Sequence, residues 1–165
     1  MRRPVPERPG PGQESVWDYP RPPRVEPSRE VLEVRLGGVV VARTTASLRV
    51  LETSHPPTYY LPRAAFAEGA LRPCAGSTFC EWKGEAAYFD VVGGRVAAPR
   101  AAWTYPRPSP GFEALLEHVA VMPAAVDACT VDGEVVTPQE GGFYGGWVTS
   151  RVVGPFKGGP GTWGW

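Results

Sequence analysis

Few side chains in this sequence could do chemistry, and they gather in four short motifs. In Glu52-Thr-Ser-His-Pro-Pro-Thr-Tyr-Tyr-Leu-Pro62, two prolines follow His55. They fix the backbone and remove two N–H donors. A stiff loop carrying His55 and Glu52 has the parts of a general base and its orienting carboxylate. In Phe79-Cys-Glu-Trp-Lys-Gly84, a thiol (Cys80) and an amine (Lys83) flank the indole of Trp82. Read as a strand, this segment puts Cys80 and Trp82 on one face and Glu81 and Lys83 on the other. The thiol and amine are then separated unless the strand bulges. A reactive thiol needs a cationic neighbour, which points to His55. In Trp103-Thr-Tyr-Pro106, the rings of Trp103 and Tyr105 share a strand face. The tail motifs, Phe143-Tyr-Gly-Gly-Trp147 and Gly154-Pro-Phe-Lys-Gly-Gly-Pro-Gly161, add Tyr144, Trp147 and Lys157. Their glycines permit close backbone approach, but they do not spell the phosphate-cradling G-x-x-x-x-G-K-[ST] loop.

Lys83 and Lys157 are the only lysines among 17 basic residues, and each stands between an aromatic residue and glycine. Where arginine serves everywhere else, a compact ammonium suggests a point charge or a tunable pKa. The candidate catalytic residues are therefore His55, Glu52, Cys80 and Lys83. The candidate ligand-binding residues are Tyr59, Tyr60, Trp82, Trp103, Tyr105, Tyr144, Trp147 and Lys157. One reading is a small-molecule site walled by the aromatics, with His55 and Lys83 as polar anchors. A second is an enzyme with His55 as general base and Cys80 or Lys83 as nucleophile or electrophilic anchor. The plainer alternatives are a stiff connector at His55, a small buried hydrophobe at Cys80 and ordinary core packing for the rings. The lysines could equally be packed residues that tie the tail to a sheet.

Short elements must position these motifs. Val31–Leu36 and Val39–Ala42 alternate around Gly37-Gly38 and predict a hairpin. Ser47–Glu52 and Thr58–Leu61 read as extended, and Pro62 opens a short helix through Phe66 that closes at Gly69. Glu85–Val92, Gly93-Gly94 and Arg95–Ala98 form the clearest hairpin, which Ala101–Tyr105 extends. Phe112, Leu115, Leu116 and Val119 fall at helical spacing and predict a helix over 111–119. Val126–Val136 predicts a last hairpin around Asp132-Gly133. Hairpins dominate, so an antiparallel β or α+β domain is expected, mainly β with one or two short helices. Residues 1–13 read as a disordered Pro/Arg-rich terminus and 14–165 as a single domain. Within that domain, 14–27 is expected to be an arm that docks Trp17 and Tyr19. The aperiodic tail, 141–165, is expected to wrap over the sheets with its rings turned inward.

Composition narrows the function classes. With 17 basic and 17 acidic residues the net charge is zero, which argues against a nucleic-acid partner. Cys74, Cys80 and Cys129 form no C-x-x-C pair, so neither a disulfide framework nor a metal site is expected. No apolar run approaches the roughly 18 residues of a membrane span, and no apolar stretch follows Arg2 and Arg3 as an export signal would require. A soluble, cytoplasmic chain with no membrane partner is the expectation. The arm could dock on a neighbouring copy and give a weak homodimer. The cofactor, the ligand and the existence of a reaction are left open.

The same motifs resemble a known family. The matching segments are Glu52–Pro62, Cys80–Gly84, Trp103–Pro106, Asp132–Glu134 and Phe143–Trp147 through Gly154–Lys157-Gly158, with Glu14–Pro20 at the start. The chain resembles the family catalogued as domain of unknown function 427, also labelled a nucleotidyltransferase-like domain. Position 81 is Glu, where many members carry Pro. The resemblance implies a compact, tent-like domain of two antiparallel sheets meeting at an angle. Similar folds hold a structural zinc or bind small heterocycles in aromatic cages, and the zinc-binding cysteine pairs are missing here. Two-metal phosphoryl transfer needs paired acids. The only aspartates, Asp18, Asp90, Asp127 and Asp132, are scattered, so the label carries little weight.

Overall fold

The computed structural model of the chain describes residues 4–80 and 82–165. Met1–Arg3, part of the expected loose terminus, and Glu81, expected on the strand face of Lys83, lie outside them. The arm contributes β1 (Glu14–Ser15) and β2 (Arg24–Ser28). The first Gly-Gly turn closes the expected hairpin, β3 (Leu32–Leu36) and β4 (Val39–Thr44). Then come β5 (Ser47–Leu51), β6 (Thr58–Pro62), β7 (Leu71–Cys80), β8 (Gly84–Gly93) and β9 (Val96–Thr104). The chain continues with β10 (His118–Val121), β11 (Ala128–Val131), β12 (Glu134–Val135), β13 (Thr137–Pro138), β14 (Trp147–Val148) and β15 (Val152–Val153). A seven-stranded antiparallel sheet runs β2-β5-β6-β10-β9-β8-β7, and a four-stranded one runs β12-β11-β3-β4. The fold is mainly β, as expected, with several antiparallel sheets that do not close into a barrel.

The expected short helix after Pro62 is a 3-10 turn, Arg63–Ala65, and no α-helix occurs among the described residues. The helix expected over 111–119 is absent for a physical reason. Isolated two-turn helices are marginal, and here a better partner exists. Glu113–Leu115 makes a single 3-10 turn, Glu117 takes φ 59°, and His118–Val121 enters the sheet between β6 and β9. Phe112, Leu115 and Val119 are buried as the spacing required, but Leu116 is 50% exposed.

The large sheet has two faces, and alternation along each strand sorts its residues between them. Tyr59 and Leu61 on β6, Phe89 and Val91 on β8, and Val119 and Val121 on β10 face the four-stranded sheet. There they meet Leu32, Val34, Leu36 and Val131 in the main core. The sheets also touch at their two Gly-Gly turns. A methyl on Gly93 would lie 2.7 Å from Val41 Cγ1 and against the Leu36 carbonyl. The opposite face carries Val50, Tyr60, Ala86, Tyr105 and Ala120 in a second cluster, with Trp103 and Tyr88 against it.

The arm docks on its own chain. Val16 and Tyr19 are buried with Leu51 and Val152, and the Trp17 indole N–H donates to the Pro155 carbonyl at 2.9 Å. The Glu7 N–H donates to the Gly154 carbonyl at 2.8 Å. The tail turns only part of its rings inward. Trp147 is fully buried and Phe156 packs on the Val16 cluster. Phe143 and Trp163, expected inside, are more than four-fifths exposed. Both lie in turns flanked by left-handed glycines, Gly142 (φ 69°) and Gly161 (φ 80°), which belong to no sheet and offer no face to bury a ring.

Candidate functional site

The outer face of the large sheet floors a half-open cleft of about 790 Å³. Small-molecule sites span roughly 300–1,000 Å³. The floor is Val50, Tyr60, Tyr88 and Trp103. One wall is the tip of the β7–β8 hairpin, with Cys80, Trp82 and Lys83. Another is the loop from Glu52 through Pro56, and a third is Gly142–Gly145 with Lys157. Most of the sequence-derived candidates therefore meet in one place: Glu52, His55, Tyr60, Cys80, Trp82, Lys83, Trp103, Tyr105, Tyr144 and Lys157.

Two expected residues do not reach the cleft. Tyr59 precedes Tyr60 on β6, and a strand turns consecutive side chains to opposite faces. It lies in the main core beside Trp147, ring centroids 5.0 Å apart, and its hydroxyl donates to Glu30 at 2.7 Å. Burial pushes its phenol pKa up. Trp147 fills the same core, its indole N–H donating to the Val121 carbonyl at 3.2 Å. Neither lines the cleft.

The β7–β8 tip also departs from the expectation. Cys80 pairs with Gly84, and Trp82 and Lys83 lie in a turn, not on a continuing strand. Gly84 takes φ 107°, which favours glycine. The turn removes the predicted separation and brings the Lys83 ammonium beside the Cys80 thiol and 5.8 Å from the Tyr105 ring centre. Burial opposes the Lys83 charge. The Tyr60 and Cys80 groups, with the Glu52 carboxylate, outweigh it and hold the pKa above the usual lysine value. Tyr60 and Tyr105 are pushed up by burial and stay protonated. The Trp103 indole N–H donates to the Tyr60 hydroxyl at 3.3 Å, and the two rings meet edge to face.

At the other end stands His55. Its loop is tightly specified: Ser54 takes φ 72°, and the His55 N–H closes a turn on the Glu52 carbonyl at 3.0 Å. The Nδ1 atom lies 3.1 Å from the Thr53 carbonyl and 3.9 Å from Glu52 Oε2. A carbonyl only accepts, so Nδ1 carries the proton and Nε2 is the basic nitrogen. Burial lowers the pKa of His55 although Glu52 opposes it, so the ring is neutral at pH 7. Its ring meets Tyr144 edge to face at 4.9 Å, and the Lys157 ammonium sits 5.8 Å from the centre of the Tyr144 ring. Lys83 and Lys157 thus mark opposite ends of the aromatic wall. Lys157 is also tied into the tail, its N–H donating to the Ser54 carbonyl at 2.8 Å and its Nζ to the Trp165 backbone oxygen at 3.2 Å.

Thr78, Tyr88, Arg100, Met122 and Gln139 also line the cleft and were not singled out in the sequence. Tyr88 was within reach of strand alternation, being two residues from Ala86 on β8. Arg100 had no local signal. It arrives because the β7 bulge between Cys74 and Ser77 sets the Ala75 carbonyl 2.8 Å from its guanidinium, which lies 4.2 Å over the Tyr88 ring. Gln139 is buried and ties the tail to the wall. Its amide donates to the Lys157 carbonyl at 2.7 Å and accepts from the Gly146 N–H at 3.1 Å. Among the described residues, no group of three or more His, Cys, Asp or Glu could hold a metal ion, and no helix is long and apolar enough to cross a membrane.

The comparisons with known proteins bear on descent more than on chemistry. No curated protein matches the sequence. A family model described as a domain of unknown function (DUF427) matches residues 24–132, which hold the large sheet, His55 and the β7–β8 tip. That span is well over half of the chain, and the chain belongs to the DUF427 family.

Proposed function

We propose that this protein binds a small, planar heterocyclic molecule in the cleft on the outer face of the large sheet. One observation carries the reading: five aromatic side chains from separate segments, Tyr60, Trp82, Trp103, Tyr105 and Tyr144, converge on one half-open space together with His55, Lys83 and Lys157. Tyr59 and Trp147 pack between the sheets, whereas these five, of which Tyr60 and Tyr105 are buried in the second cluster, line a volume large enough for a ligand. Flat apolar walls with a few placed polar groups are the ordinary make-up of a cofactor or metabolite pocket. Thermal-shift screening of purines, pterins and flavins tests the reading. A member of one class should raise the melting temperature of the wild-type protein and fail to raise that of Trp103→Ala. Absence of any shift across all three classes would contradict it.

A second reading is favoured by the geometry of His55. A neutral imidazole whose Nδ1–H is held by the Thr53 carbonyl, with Glu52 close by, leaves Nε2 free to take a proton. Such an arrangement suits a general base acting on a ligand bound against Tyr60 and Trp103. Its signature is turnover that disappears in His55→Gln while ligand affinity is retained.

A further inference from the structure

The aromatic walls fix the shape of the ligand, and the charges around them bear on its chemistry. Lys83, Lys157 and Arg100 line the cleft, and no Asp or Glu side chain pairs with any of the three among the described residues. Arg100 spends its guanidinium on the Ala75 carbonyl and the Tyr88 ring, and Lys157 spends a donor on Trp165. The Lys83 ammonium has three donors, and no oxygen acceptor lies within hydrogen-bond distance of it among the described residues; what it faces is the Tyr105 ring and the Cys80 thiol. Among the described residues, the one carboxylate of the lining, Glu52, already meets Arg21, which lies outside the lining, at 3.5 Å. His55 adds no positive charge at neutral pH. Counted over the described residues, a chain with no net charge therefore holds a local excess of positive charge in a half-enclosed space, where fields are screened less than on open surface.

Resting on the reading of the cleft as a heterocycle site, we propose that its ligand is an aromatic acid, a planar heterocycle bearing a carboxylate or phosphate, with the anionic group seated at Lys83. The ring system lies against Trp103, Tyr60 and Tyr105, and the anion takes ammonium donors of Lys83 at the hairpin tip. This placement accounts for the residue type. A carboxylate or phosphate can be held by a point charge on a flexible stem. The glycine that follows permits the turn that brings that stem to the Tyr105 ring.

The test is isothermal titration calorimetry of the full chain with matched pairs differing in charge: riboflavin against flavin mononucleotide, and pterin against pterin-6-carboxylate. The phosphate and carboxylate arms distinguish the two anions. At low ionic strength at least one anion should bind tenfold or more tighter than its neutral parent. That preference should shrink at high salt. It should be lost in Lys83→Gln and retained only in part in Lys83→Arg, which keeps the charge but not the compact ammonium. Circular dichroism melts of the two variants establish that they are folded, and the comparison of neutral and anion on wild-type protein requires no variant at all. Equal affinity within every pair, or a preference that survives Lys83→Gln, would overturn the assignment of the anion while leaving the aromatic cleft intact. No binding by any member of either pair would overturn both.

Discussion

Adjacent residues on one strand divide the work of this molecule. Tyr59 and Tyr60 are chemically alike and next to each other, yet one closes the core and the other floors the cleft. The same contrast separates Trp147 from Trp103. Trp147→Ala empties a fully buried site, and such truncations cost roughly 3–5 kcal/mol. Trp103 is half-buried at the cleft, so Trp103→Ala should cost clearly less stability while removing a large flat surface of the cleft floor. Urea unfolding of the two variants, with ligand-induced thermal shifts alongside, should show opposite orders of damage. His55 supplies a pH signature. Burial sets its folded pKa below the unfolded value of about 6.5, so below that value the unfolded chain binds more protons than the folded one. Stability present above the unfolded pKa is therefore lost as pH falls through the folded pKa. Between pH 7.5 and 5, wild-type protein should lose more stability than His55→Gln in parallel urea titrations. Identical slopes would place His55 in an unperturbed setting.

Turns decide what strands alone cannot. Hairpins at Gly37-Gly38, Gly93-Gly94 and Asp132-Gly133 were legible because a turn signal between alternating runs has a short-range cause. The alternation that puts Trp103 and Tyr105 on one side was legible for the same reason. The β7–β8 tip was not: only the Cys80–Gly84 pairing shows that Lys83 sits in a turn, and pairing is a property of two strands. Nor could local spacing reveal that His118–Val121 would pair with β6 and β9 instead of continuing a helix. The tip and the opposite wall each rest on one glycine. A methyl at Gly84 would be strained at φ 107° and would lie 3.1 Å from the Arg107 carbonyl oxygen. Gly84→Ala should cost about 1 kcal/mol or more and displace Lys83. A methyl at Gly145 would overlap the Trp103 ring and lie 3.2 Å from the Met122 sulfur. Gly145→Ala should therefore shift the Trp103 indole resonance and weaken binding with little loss of stability. An unshifted resonance would mean that the wall does not lie on the ring.

Seen whole, the molecule is a two-faced sheet whose inner face makes the core and whose outer face is left partly open. The tail serves both. Trp147 enters the core, its N–H donating to the Pro57 carbonyl at 2.8 Å, while Tyr144 and Lys157 complete a wall of the cleft. A chain truncated after Glu140 loses both contributions and should no longer melt cooperatively; a near-native melt would make the tail an appendage. The central claim is that the outer face, and not the core or the arm, holds a ligand. It is tested most directly by two-dimensional ¹H–¹⁵N spectra of the wild-type protein titrated with whichever heterocycle binds. The indole N–H signals of Trp82 and Trp103 should move together with the amides of His55 and Lys83, while those of Trp17 and Trp147 stay in place. Shifts centred on Trp17 or Trp147, with Trp82 and Trp103 unmoved, would contradict the account.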